Sequence, residues 1–124
     1  MLGGGSWGTV LAHLASLNGY EVTLWMRDED LANQINTEKI NGNYLPGLSL
    51  KDNLVATSAI QKISNSNSII YCIPSDAFRE VAISAEPYIS VETNLVSATK
   101  GVESSGFNLM SKICLLYTSD AADD

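Results

Sequence analysis

A glycine run at the start constrains this chain more than anything after it. Residues 3–8 read GGGSWG, which sets Gly3, Gly5 and Gly8 in the GxGxxG spacing of a loop that cradles the pyrophosphate of a dinucleotide. In such a loop the first glycine permits a tight turn, the second lets the backbone approach the phosphates, and the third allows the following helix to pack closely on a strand. The exposed N–H groups and the positive end of the helix dipole then meet the anion. The spacing has this meaning only between a strand and a helix, because glycine-rich turns also arise for structural reasons alone. Only Met1 and Leu2 precede the loop here, so the expectation is a first strand cut short.

The residues downstream supply the rest of the context. Val10, Leu11, Leu14, Ala15 and Leu17 form an apolar stripe near helical period, closed by Asn18 and Gly19 as a stop. EVTLWM (21–26) is short, β-branched and aromatic, as a buried strand is, and Asp28 is placed to cap a second helix carrying Leu31, Ala32 and Ile35. TEKINGNYLPGLSLKDN holds Asn-Gly and Pro-Gly pairs without sustained period, which predicts an irregular excursion over the surface. NLVATS predicts a strand, with Ser58 capping a short helix. SIIYCIP predicts an apolar strand ended by Pro74, DAFREVAISAEPYI a helix broken near Pro87, and TNLVSATKG a further strand and turn. Strands alternating with helices imply parallel pairing and right-handed crossovers. The fold class is therefore α/β, a Rossmann-like doubly wound, mainly parallel sheet with the first strand truncated and ligands at the C-terminal strand ends.

Charge and length narrow the function. The 124 residues suit one domain, and 14 acidic against 7 basic side chains give a net charge of -7, which argues against a nucleic-acid partner because clustered Lys and Arg are missing. Part of that acidity lies in the final DAADD. No apolar run approaches the roughly 20 residues that span a bilayer, and no secretory signal is evident at the start. Cys72 and Cys114 stand in neither a CxxC nor a His-rich setting, so two reduced thiols in the cytoplasm are the plain reading, with no metal site.

Several residues invite a role. A carboxylate after the second strand pairs with the ribose 2′-OH of NAD, whereas an arginine accommodates the 2′-phosphate of NADP. "WMRDE" offers Arg27 beside Asp28, and the choice stays open because Asp28 also suits a helix cap and Arg27 a solvated surface. Ser6 fits an N-cap and Trp7 fits core packing as readily as ligand contact. Lys100 ends a strand on the ligand side, where it can meet a phosphate or a substrate oxygen or remain a surface lysine. His13 lies mid-helix without a partner for a catalytic triad, and Phe78 suits packing at a helix start.

The segments GGGSWGTVLAHLASLNGYEVTLWMRD, NYLPGLSL, IIYCIPSDAFREV and LVSATKGVE, in that order, closely resemble NAD(P)-dependent glycerol-3-phosphate dehydrogenase. The resemblance runs from residue 2 to about 113. It implies that Gly3, Gly5, Ser6, Trp7 and Gly8 bind NAD or NADP at the phosphate loop, that Arg27 sits by the adenosine ribose, and that Lys100 reaches both the cofactor and the substrate region. It implies the interconversion of dihydroxyacetone phosphate and sn-glycerol 3-phosphate for glycerophospholipid synthesis, in the cytoplasm, by an enzyme whose full-length form is compatible with a homodimer.

The departures are equally specific. The family usually has alanine where Gly4 stands. Its catalytic lysine lies in a later helical substrate domain, and no position here matches it, Lys112 included. Residues 1–113 thus read as a partial cofactor domain, and CLLYTSDAADD (114–124) as a tail foreign to it. The expectation is a fragment that is inactive by itself. Another NAD(P)-dependent hydroxyacid or phosphosugar dehydrogenase, or a non-catalytic dinucleotide-binding module, is the alternative.

Overall fold

The computed structural model describes residues 1–98 and divides into two compact units, one spanning Met1–Lys62 and a second beginning at Ile63. In the first, helix α1 (Ser6–Leu17) leads to strand β1 (Val22–Trp25), helix α2 (Glu29–Glu38) and strand β2 (Leu54–Thr57). β1 and β2 pair in parallel, from Val22 opposite Leu54 to Trp25 opposite Thr57. Leu2 forms a single parallel bridge to Trp25, a short first strand on the other edge of β1. In the second unit, β3 (Ser68–Tyr71) and β4 (Asn94–Ser97) pair in parallel across helix α3 (Phe78–Ala85). The alternation of parallel strands with helices is Rossmann-like, as the sequence predicts.

Local chemistry accounts for most boundaries. Asp28 Oδ1 accepts the Leu31 N–H at 3.1 Å, so the expected cap of α2 is made. That bond satisfies one of the donors that a helix start leaves unpaired. Gly19 turns the chain out of α1 at φ 90°, a conformation open to glycine without side-chain strain. α3 ends at Ala85 and passes into a 3-10 turn at Glu86–Tyr88, because Pro87 has no N–H to continue the helix. The short helix after β2 is a 3-10 turn, Ile60–Ile63. Just before it, Thr57 Oγ1 accepts the Ala59 N–H at 3.0 Å.

The buried core of the first unit gathers Leu24 and Met26, Leu31, Ala32 and Ile35 of α2, Leu54 and Ala56 of β2, and Leu50. Each fully buried Leu or Ile contributes about 1.5–3 kcal/mol relative to exposure. The apolar stripe predicted for α1 does not supply its packing face. Leu14 and Leu17 are about half exposed, and the buried residues of α1 are Gly8, Thr9, Ala12 and Ser16. Small side chains let the helix axis approach the sheet closely, and that proximity leaves the large residues on the outer face.

The stretch between α2 and β2 is irregular but does not simply run over the surface. Asn41 is fully buried and Leu50 nearly so. Asn36, on α2, donates from Nδ2 to Ala56 O and accepts from Ala56 N, both at 2.8 Å, so a side-chain amide completes the edge of β2 that faces away from β1. Asn53 donates to Ser16 O and Tyr20 O at 2.9 and 3.0 Å, tying the end of α1 to the start of β2. In the second unit Phe78 is fully buried against Tyr71, ring centroids 5.1 Å apart, which is the packing role expected at that helix start.

Candidate functional site

The glycine loop is built onto β1 by backbone hydrogen bonds. Trp25 N donates to Met1 O and Gly3 N donates to Trp25 O, each at 2.9 Å. Gly3 then turns at φ 123°, where a side chain is strained. Gly8 lies buried on the packing face of α1, as expected for the third glycine. Gly5 is different: its φ of -73° suits any residue, and a Cβ built there meets nothing within 4 Å among the described residues. Neither conformation nor the packing of the described residues requires glycine at this position. The open space beside it, at the N-terminus of α1, is where an anion would come against the backbone.

Among the described residues no side chain caps α1. Gly5, not Ser6, is the N-cap, and Ser6 is the first helical residue, exposed. Trp7 is 59% exposed, so it does not serve the core as most tryptophans do. Thr9 N donates to Gly5 O at 3.0 Å, opening the helical ladder.

Behind the loop lies a polar cluster that sequence reading did not find. Asn41 Nδ2 donates to Gly4 O and to Thr9 Oγ1, both at 2.9 Å, while Thr9 Oγ1 itself donates to Gly4 O at 3.3 Å. Both side chains are fully buried. Asn41 also accepts the Tyr44 N–H at 3.3 Å, and Gly42 N donates to Gln34 Oε1 at 3.3 Å. The Asn-Gly pair that signalled a surface turn is thus an anchor. A neighbouring contact bears on the glycine where the family resemblance implies alanine: a Cβ on Gly4 would stand 2.8 Å from Met26 Cε and 2.9 Å from Met26 Cβ. Met26 occupies the space that an alanine methyl would take.

Arg27 and Asp28 follow at the C-terminal end of β1, both exposed. Asp28 serves as the α2 cap. Lys100 lies outside the described residues, as do Lys112, Cys114 and the tail 114–124. His13 Nδ1 is buried without a hydrogen-bond partner among the described residues. Burial pushes the Cys72 thiol pKa up. Among the described residues no group of three or more His, Cys, Asp and Glu is placed to hold a metal ion, and no helix is long and apolar enough to cross a membrane.

A strand bridge, a glycine turn at positive φ and a helix whose first turn opens to solvent give the GxGxxG spacing the strand-and-helix setting that such a loop requires. Residues 1–122 match the family model described as the NAD-dependent glycerol-3-phosphate dehydrogenase N-terminus. The chain belongs to this family. It is 45% identical over 114 residues to glycerol-3-phosphate dehydrogenase [NAD(P)+] of Saccharophagus degradans, covering 91% of this chain and 32% of that relative. The corresponding protein of Teredinibacter turnerae is 43% identical over 114 residues, covering 91% and 34%. Among solved structures, glycerol-3-phosphate dehydrogenase from Coxiella burnetii superposes with TM-score 0.86 at 30% identity, covering 94% of this chain and 36% of that one. The chain therefore spans about a third of the length of the relatives it matches. Membership makes it the cofactor-binding portion of an NAD(P)-dependent dehydrogenase family.

Proposed function

We propose that this chain binds NAD or NADP through the glycine loop and forms the cofactor half of an enzyme that interconverts dihydroxyacetone phosphate and sn-glycerol 3-phosphate, supplying glycerophospholipid synthesis in the cytoplasm. The observation that carries the reading is Gly5, a glycine that the packing of the described residues does not need, set beside space open among those residues at the start of α1. When bound, the nicotinamide would accept or supply a hydride at the central carbon of the substrate. The chain's own residues bind and orient. Gly3, Gly5 and Gly8 shape the loop, Ser6 and Trp7 offer exposed contacts in the first turn of α1, and Arg27 stands where the adenosine ribose would lie. Lys100 would reach from the cofactor toward the substrate phosphate.

The catalytic lysine known from the resemblance has no counterpart here, and the chain matches about a third of its relatives' length. Those two points support binding without turnover by the chain alone. The test is a titration with NADH and NADPH, read by nicotinamide fluorescence, on the chain as it stands and extended upstream by a complete first strand. Saturable binding supports the reading, and the tighter nucleotide states the preference of Arg27. Absence of binding in both forms refutes it.

A further inference from the structure

We infer that Asn41, in the stretch between α2 and β2, is a positioning residue that aims the Gly5 N–H out of the protein toward the bound nucleotide. The inference rests on the reading that the glycine loop takes the pyrophosphate of NAD(P). A trans peptide is planar, with its carbonyl and its N–H pointing in opposite directions. The carbonyl of the Gly4–Gly5 peptide is held inward, by Asn41 Nδ2 at 2.9 Å and by Thr9 Oγ1 at 3.3 Å. The N–H on the other side of that peptide, which belongs to Gly5, therefore points away from the buried amide.

Glycine on both sides of a peptide leaves it free to rotate at little cost. A loop reading GGG consequently needs something outside itself to hold one orientation. The Leu2–Gly3 peptide is fixed by Gly3 N on Trp25 O. The Gly4–Gly5 peptide, two further along, is fixed by Asn41. Its amide spends one proton on Gly4 O and the other on Thr9 Oγ1, in a site with no exposure to water. Breaking either bond strands a buried polar group, so the arrangement is stiff. An acidic residue of the same shape would face the Gly4 carbonyl with a lone pair and turn the peptide away.

Three variants separate positioning from mere stability: Asn41→Asp, Thr9→Val and Thr9→Ser. In the full chain, well below each variant's thermal midpoint, Asn41→Asp is expected to raise the Kd for NADH by about tenfold or more, the size of a lost hydrogen bond to a charged group. Thr9→Val raises it less, and Thr9→Ser restores wild-type affinity by returning the hydroxyl. The Gly5 amide resonance of the nucleotide-free protein moves in the first two variants and not in the third. If Asn41→Asp does not fold, the Thr9 pair decides. Variants that lose thermal stability yet bind NADH as the wild type does, with the Gly5 amide unmoved, overturn the inference. If the unaltered protein binds no nucleotide, the cofactor reading fails, and the Gly5 amide alone then decides whether Asn41 sets this peptide.

Discussion

Replacing Gly4 by alanine is the sharpest test of how the loop is packed. The added methyl would stand 2.8 Å from Met26 Cε, 2.9 Å from Met26 Cβ and 3.4 Å from its sulfur, where ordinary carbon contacts lie at about 3.5–4.0 Å. The terminal methyl of Met26 can swing aside. Its Cβ cannot, because the backbone there is fixed by Met26 N donating to Thr57 O at 2.9 Å. The loop or the strand end must shift by several tenths of an ångström, so Gly4→Ala is expected to cost about 1–3 kcal/mol, the usual range for overpacking. Met26→Gly alone removes a nearly fully buried side chain and costs about 2–5 kcal/mol through its cavity. In that background the alanine methyl enters vacant space and costs close to nothing. The two substitutions therefore couple by about 1–3 kcal/mol in the favourable direction, well above the ~0.5 kcal/mol expected for independent sites. Urea unfolding followed by tryptophan fluorescence reads this, since Trp25 is 8% exposed and Trp7 59%. A Gly4→Ala cost that is equal in both backgrounds would refute the packing argument.

Other substitutions probe the remaining joints. Gly3→Ala forces a side chain to φ 123° and should lose about 1–3 kcal/mol; an unchanged urea midpoint would show that the turn relaxes without strain. Asn36→Ala strands both the N–H and the C=O of Ala56 and should cost about 2 kcal/mol while exposing a strand edge to pairing, read as a lower midpoint with more light scattering on storage. Because burial raises the Cys72 thiol, the folded chain holds that proton more tightly than the unfolded chain. Its contribution to stability is then complete below the ordinary thiol range near pH ~8.5 and is lost as pH rises through the folded value. In a Cys114→Ser background, alkylation of Cys72 at pH 8 should be slower than that of a free thiol, and equal rates would contradict the burial effect.

The parts of the fold that depend on neighbours along the chain were legible in the sequence. Asp28 as a cap, Gly19 as a stop, Pro87 as a break and the four-residue strands all follow from local propensity and stereochemistry. The glycine spacing located the candidate site for the same reason. What could not be read depends on distance in space. The α1 stripe of Leu14 and Leu17 has the correct period, but the small residues Gly8, Thr9, Ala12 and Ser16 are the ones buried, because close helix–sheet approach overrides hydrophobicity. Asn41 looked like a turn residue since its partners, Gly4 and Thr9, are more than 30 positions away. Met26 gave no sign that it stands in the place of a methyl on Gly4. Each of these is a pairing between distant residues, and neither partner carries the signal alone.

Asparagine followed by glycine is the most fragile linkage in an ageing polypeptide, because the glycine nitrogen can attack the side-chain amide, expel ammonia and leave a succinimide that opens to aspartate or isoaspartate. Asn41-Gly42 is such a pair. The reaction needs the Gly42 nitrogen free and the amide able to rotate toward it, and here the nitrogen is held by Gln34 Oε1 while the amide is held by Gly4 and Thr9. The fold thus shelters this pair, unlike the exposed Asn18-Gly19, and only while folded. Each excursion to an open state exposes the pair to irreversible conversion, after which the acidic product no longer fits its buried seat. Chemical lifetime and conformational stability are in this way the same property at Asn41, and the fraction of protein gaining one mass unit at that residue, counted apart from the exposed Asn18-Gly19 pair, is a clock for how often the first unit opens.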